Sequence, residues 1–177
     1  GDETLNKDYL EKQGEYDIAI KSPGIKKELV TIPYTTATNI FFSYIRRRAS
    51  DNLIIGVTGS KGKSTTSSLI YHILKTAGKN VELLGNIGKP MISAINKSQI
   101  TNHKIFVLEL SSFQLDDIKF SPDIAVITNL FPEHMDFHGS LKNYYTAKKN
   151  IYAFQNKNGH VINQVKAKKK YQTHLLG

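Results

Sequence analysis

The run Thr58-Gly59-Ser60-Lys61-Gly62-Lys63-Ser64-Thr65 constrains this chain more than any other segment, because it stands where a buried strand turns into a helix. Upstream, Leu53-Ile54-Ile55-Gly56-Val57 is a short apolar run with β-branched residues, the pattern of a strand covered on both faces. Downstream, Leu69, Ile70, Ile73, Leu74 and Ala77 recur on one helical face, and Gly78 supplies a stop. Strand, glycine turn and helix N-terminus in succession make a phosphate cradle. Glycines let backbone N–H groups converge on an anion, and the helix end adds partial positive charge. Lys63 can then reach the terminal phosphates and Ser64 can ligate Mg²⁺. The first glycine of the common P-loop spacing would fall at Val57, so this chain carries a tighter form that begins at Gly59. All eight residues, Thr58, Gly59, Ser60, Lys61, Gly62, Lys63, Ser64 and Thr65, are read as the phosphate site for ATP or GTP.

Alternating strand and helix patterns around this loop predict an α/β fold, a P-loop-type, mostly parallel sheet with helices on both faces. Strands are expected at 16–20, 53–57, 80–84, 105–110 and 124–128, with a further one beginning at 161–162. Helices are expected at 36–49, 63–77 and 140–154. The 177 residues, 40% of them hydrophobic, suffice for one full α/β domain and part of another. No internal repeat is visible.

Composition excludes several classes. The absence of cysteine removes disulfide and thiolate chemistry. No apolar run approaches a membrane span and no signal peptide opens the sequence, which predicts a cytoplasmic protein without membrane contact. The chain starts at Gly1 rather than methionine and is read as part of a longer protein. Its net charge of +9 invites a nucleic-acid reading until the charge is located. Residues 137–177 hold eight lysines and no acid, so residues 1–136 carry only +1. The densest part is Lys166, Lys168, Lys169 and Lys170, with no aromatic stacking platform beside it, and it is read as a solvated segment rather than a nucleic-acid interface.

Three further positions carry chemistry. Glu109 ends a strand that otherwise reads as buried, at the carboxyl edge where ligands of open parallel sheets gather. A carboxylate there can hold Mg²⁺, or can simply turn to solvent. Ser111-Ser112-Phe113-Gln114 follows with hydroxyl and amide groups at the same edge. The segment 129–139 is dense in groups that bind metals or move protons. His134 and His138 are candidates there, each also readable as a structural histidine. Lys148 lies near the centre of the apolar face formed by Leu141, Tyr144, Tyr145, Ile151 and Tyr152. A lysine aimed inward needs an anionic partner, a depressed pKa or a modification, unless it snorkels along the tyrosine rings. A neutral buried amine could react with CO₂ to give a carbamate, a carboxylate-like metal ligand.

Together these residues resemble the Mur ligase superfamily. The shared pattern is a T-G-x-x-G-K-[ST] loop from Thr58 to Ser64, the strand-end Glu109, an H-x-D-x-H-G segment from His134 to Gly139, and Lys148, fourteen residues after His134. Within it, the run from Leu108 to Leu115, Gly85-Asn86-Ile87-Gly88 and Ser22-Pro23-Gly24-Ile25 are similar to the branch that adds D-glutamate to UDP-N-acetylmuramoyl-L-alanine in peptidoglycan precursor synthesis. The resemblance implies that Lys63 and Ser64 hold the ATP phosphates and a first Mg²⁺, with Glu109 completing that metal site. It implies a second Mg²⁺ on His134 and a carbamylated Lys148, and contacts from Asn86, Ser111 and Gln114 to the UDP-linked substrate. Lys63, His134 and Lys148 are then the catalytic set.

By the same resemblance, residues 1–33 are the remnant of a Rossmann-like domain that binds the UDP-substrate, and residues 34–177 are an incomplete central ATP-binding domain. The chain is expected to be a monomer and, by itself, to bind nucleotide phosphates without ligating. Alternatives left open are a related ligase for another amino acid, a folylpolyglutamate-synthase-like ligase, an inactive nucleotide-binding fragment, and a basic P-loop protein associated with nucleic acid.

Overall fold

Three apolar segments, 53–58, 105–109 and 124–127, are hydrophobic on both faces and are satisfied only in the middle of a sheet. The structure, a computed structural model, describes residues 7–48, 51–95 and 103–163; the lysine-rich run 166–170 lies outside them. A 3₁₀ segment (Lys7–Glu15) precedes two short strands, β1 (Ala19–Ile20) and β2 (Tyr34–Thr35), which pair in parallel. Then come α1 (Ala37–Arg48), β3 (Leu53–Thr58), α2 (Lys63–Thr76), β4 (Val81–Gly85), β5 (Ile105–Glu109), α3 (Ser112–Asp116), β6 (Ile124–Ile127), α4 (Met135–His138), α5 (Leu141–Ala153) and β7 (His160–Asn163). The last five strands form one parallel sheet in the order β4-β5-β3-β6-β7, so the doubly apolar segments are its three central strands.

The two faces are covered unequally. On one, Phe41, Phe42 and Ile45 of α1, Leu115 of α3 and Ile151 of α5 pack with Ile54, Phe106, Leu108, Ala125 and Ile127. Phe41 meets Phe106 edge-on with ring centroids 5.4 Å apart. The other face is smaller: Ile55, Val57 and Val126 under Ile70 and Leu74 of α2. The apolar stripe expected on α2 is therefore only half used. Leu69 and Ile73 remain 56% and 57% exposed, because Ile70 and Leu74, one turn apart, already fill the line that meets the sheet.

Other expectations shift for local reasons. The strand expected at 16–20 shrinks to Ala19–Ile20, since β2 offers backbone partners only around Ala19 and Lys21. The strand expected at 161–162 forms as β7 and pairs in register with β6, Ile124 opposite His160. On α5, Leu141 is exposed, while Tyr144, Ala147, Lys148 and Ile151 make the buried stripe. The short helices α3 and α4 were not expected. A capping box starts α3: Ser111 Oγ accepts from Gln114 N, and Gln114 Oε1 accepts from Ser111 N.

An ion pair joins the first segment to the main sheet. Lys21 Nζ lies 2.7 Å from Asp117 Oδ2 with the two side chains 2% and 5% exposed, and it also donates to Ile25 O at 2.6 Å. Tyr34 OH donates to Asp117 Oδ1 at 2.9 Å; burial first, then that carboxylate, pushes the phenol pKa up to about 12. Breaking such a pair from one side strands a buried charge, whereas replacing both partners does not. Lys21→Ala is expected to lower stability by about 3–5 kcal/mol in urea unfolding, and the double variant Lys21→Met/Asp117→Leu by far less.

Candidate active site

Doubly wound connectivity delivers the chemistry to one edge. β3 leads through α2 to β4 on one side, and β5 leads through α3 to β6 on the other, so the crevice between β3 and β5 is the switch point where ligands bind such sheets. The loop after β3 and the end of β5 both open there. Gly59 has φ +150°, and a Cβ at that position would collide with Thr128 Oγ1, beyond the end of β6. Gly62, at φ +81°, then starts α2.

The loop is held by its neighbours. Ser60 N donates to Asn129 O at 2.9 Å, Lys61 N donates to Asn129 Oδ1 at 2.8 Å, and Thr128 Oγ1 donates to Lys61 O at 2.6 Å. Ser60 Oγ donates to Phe131 O and accepts from Phe131 N, both at 2.8 Å. Its single proton being used there, the 2.7 Å contact with Tyr144 must have the phenol as donor. Thr58 Oγ1 donates to Leu110 O at 2.8 Å. The side chains of Thr58 and Ser60 are thus engaged by protein. With the N–H groups of Ser60 and Lys61 committed to Asn129, the backbone N–H groups from Gly62 onward, Lys63 and the exposed hydroxyls of Ser64 and Thr65 remain for an anion or a cation.

Two lysines converge on one carbonyl. Lys63 Nζ donates to Gly59 O at 3.0 Å and to Ser60 O at 2.8 Å; Lys148 Nζ donates to Gly59 O at 2.9 Å. Lys148 is 2% exposed, and its ammonium lies over the Tyr144 ring, 5.0 Å from the centroid. The inward orientation expected from helical spacing is observed. Burial, and secondarily the charge of Lys63, depress the Lys148 pKa from 10.5 to about 8, with Glu133 working weakly the other way. Glu133 pairs with Lys61 at 3.0 Å; burial pulls its carboxyl up, but Lys61, Lys63 and His134 outweigh that and leave it lowered.

Five of the residues singled out from the sequence meet around a single cavity of about 360 Å³: Lys63, Asn86, Ser111, Gln114 and His134 line it, with Phe113 and the Pro23-Gly24 turn. Ser111 and Gln114 are locked together by the capping box, which leaves the Gln114 amide N–H groups without a protein partner among the described residues. His134 stands in the left-handed region at φ 56°, its ring 4.9 Å from that of Phe113. His138 takes the structural role instead. Its ring is buried among Phe113, Phe137 and Tyr144, Nε2 meets Ser112 Oγ at 3.0 Å, and burial lowers its pKa.

Glu109 is 1% exposed. Oε1 accepts from Asn86 Nδ2 at 3.1 Å, whereas Oε2 is buried without a hydrogen-bond partner. The other such atom among the described residues, Asn52 Nδ2, precedes β3 at the opposite sheet edge. An orphaned carboxylate oxygen at the ligand edge is the donor a hard divalent cation needs, and Ser64 offers a hydroxyl on the first turn of α2. The residues fit a Mg²⁺ held partly by phosphate oxygens. Among the described residues no three His, Cys, Asp or Glu side chains cluster as a preformed metal cage.

Spacing alone missed Tyr144, Thr128, Asn129 and Phe113. Tyr144 was the most accessible of these, since it precedes Lys148 by one helical turn. Lys148 also generates a measurable pH dependence. Unfolded, it keeps its proton up to 10.5, and folded only up to about 8, so the unfolded state holds the extra proton between those values and stability rises with pH across them. The penalty, about 3 kcal/mol, is fully present below pH 8. In CO₂-free buffer, the stability of the parent chain minus that of Lys148→Met is expected to climb by about 1.4 kcal/mol per pH unit from pH 8 to 10, read by urea unfolding.

Known proteins resemble the chain over most of its length. The Mur ligase middle domain family matches residues 57–176. The UDP-N-acetylmuramoylalanine–D-glutamate ligase of Acetivibrio thermocellus is 39% identical over 160 residues, covering 86% of this chain and 33% of the relative. That of Clostridium acetobutylicum is 40% identical over 166 residues, covering 89% and 34%. The chain thus spans about a third of the length of these relatives. Among solved structures, MurF ligase from Thermotoga maritima in complex with ADP superposes with TM-score 0.56 at 21% identity, over 82% of this chain and 36% of that one. The UDP-N-acetylmuramate:L-alanyl-gamma-D-glutamyl-meso-diaminopimelate ligase from Neisseria meningitides gives TM-score 0.56 at 17% identity, over 90% and 56%. With the matched domain spanning most of the sequence and its fold shared by these structures, the chain belongs to the Mur ligase family.

Proposed function

We propose that this chain is the ATP-binding part of a ligase that joins D-glutamate to UDP-N-acetylmuramoyl-L-alanine. The observation that carries the reading is the single cavity lined by Lys63, Asn86, Ser111, Gln114 and His134, adjoining the phosphate loop. Identity of 39–40% to D-glutamate ligases over most of this chain supports the choice of amino acid. In such a reaction the γ-phosphoryl of ATP passes to the substrate carboxylate, releasing ADP. The amine of D-glutamate then attacks the acyl carbon and displaces phosphate.

In this reading the chain's own residues perform four tasks. Loop N–H groups from Gly62 to Thr65 receive phosphate oxygens. Lys63 exchanges the carbonyls of Gly59 and Ser60 for a phosphate, a stronger partner because both members are charged. Asn86, Ser111 and Gln114 orient the UDP-linked carboxylate toward that phosphate. His134 and a carbamylated Lys148 hold a second Mg²⁺, which requires Lys148 to give up its bond to Gly59 O. Ser64 and Glu109 hold the first, and bound Mg²⁺ supplies charge stabilisation where the two anionic reactants meet. Residues 1–33 belong to the UDP-binding domain and 34–177 to the ATP domain, in a cytoplasmic monomer without nucleic-acid or membrane partners. No helix among the described residues is long and apolar enough to cross a membrane.

The test is ADP release by the purified protein in its full length, which is expected to require ATP, Mg²⁺, UDP-N-acetylmuramoyl-L-alanine and D-glutamate together. Full turnover with another amino acid in place of D-glutamate would defeat the assignment. Lys63→Ala is expected to weaken binding of an ATP analogue about 10- to 100-fold, the worth of a charge-assisted hydrogen bond, with an unchanged thermal melt. Unchanged affinity would remove Lys63 from the site.

A further inference from the structure

We propose that Asn86 is a positioning residue for the Glu109 carboxylate, aiming Oε2 at a divalent cation, in addition to any contact it makes in the cavity. The inference rests on the metal reading of Glu109 given above. A carboxylate rotates freely about its last bond unless something fixes one oxygen. The carboxylate is 1% exposed, and the only protein group bonded to its side chain among the described residues is Asn86, Nδ2 to Oε1 at 3.1 Å. That one bond determines which oxygen is left bare.

The backbone around Asn86 is shaped to make this contact. Its N–H donates to Glu109 O at 3.0 Å, so residue 86 grips residue 109 through main chain and side chain together. Gly85, just before it, has φ +110°, and a Cβ there would collide with Glu109 O, so the close approach of the β4 end to the β5 end needs glycine. The turn is closed by Gly85 N donating to Lys89 O at 3.0 Å. The main-chain bond continues the β4–β5 ladder and places residue 86 beside Glu109; the side-chain bond is what asparagine adds. The Asn86 side chain itself is on the exposed rim, lining the cavity, while Glu109 is not among the cavity's lining residues. Asn86 therefore spans from the cavity to the buried carboxylate, with Nδ2 committed to Glu109 and Oδ1 still without a protein partner among the described residues.

Groups that orient a metal ligand without touching the metal commonly cost 10- to 100-fold in affinity when removed. Mn²⁺, which can be followed by its paramagnetic resonance signal, serves as the probe, titrated into the purified protein with the β,γ-imido analogue of ATP. Asn86→Leu and Asn86→Ala are expected to weaken Mn²⁺ binding about 10- to 100-fold while leaving metal-free nucleotide binding unaltered and the protein fully folded at the titration temperature. If both variants bind Mn²⁺ as tightly as the parent while Glu109→Gln loses it, Asn86 has no part in the metal site and the inference is overturned. If Glu109→Gln also binds Mn²⁺ unchanged, the metal reading itself fails and takes this inference with it. A lowered melting temperature in both Asn86 variants that accounts for the lost binding would make the residue structural and overturn the inference as well.

Discussion

The hydroxyl of Ser60 is the point on which the site depends. It bonds the backbone of Phe131 in both directions and receives the phenol of Tyr144, so one oxygen ties the phosphate loop to the segment after β6 and to α5. These three elements come from distant parts of the chain. Thr128 and Asn129 hold the Ser60–Lys61 stretch from the β6 side as well, but of these ties only the hydroxyl reaches α5, and glycines alone permit many conformations rather than selecting one. The saturated hydroxyl makes the loop's shape a property of the fold, present before any ligand arrives. Such preorganisation lowers what binding must spend on ordering the site.

Gly59 O shows what that fixed shape brings together. Two lysines of like charge share one carbonyl, which is tolerable because the pKa of Lys148 falls while Lys63 stays nearer the opening. Tyr144 serves both halves of the arrangement, its hydroxyl on Ser60 and its ring under the Lys148 ammonium. Loop geometry and lysine electrostatics are therefore coupled through a single buried side chain.

Much of this was legible in the sequence, for a physical reason. Strands buried on both faces and a helix opening on a glycine turn leave local signatures, so β3, β5, β6, α2 and α5 fall close to their expected places. Lys148 was legible because helical spacing alone predicts which way a side chain points. What could not be read was the use of each polar group. Nothing in Thr58 or Ser60 distinguishes a hydroxyl that faces a phosphate from one that bonds Leu110 O or Phe131, because those partners lie more than fifty residues away. The half-used stripe of α2 has the same origin: apolar spacing reports what a helix could bury, and the neighbouring line of side chains decides what it does bury. The structural role of His138 depends on Ser112, a partner that local sequence does not indicate.

His134 sits at φ 56° and ψ 40°, a conformation that a side chain bearing a Cβ adopts at a cost of about 1 kcal/mol or more and glycine adopts freely. The backbone there would be more comfortable without its imidazole. Under the metal role proposed for His134, position 134 is one where stability and activity pull in opposite directions. A selection for thermal resistance alone would erode it toward glycine, and in the proposed reading a demand for turnover is what keeps the histidine in place.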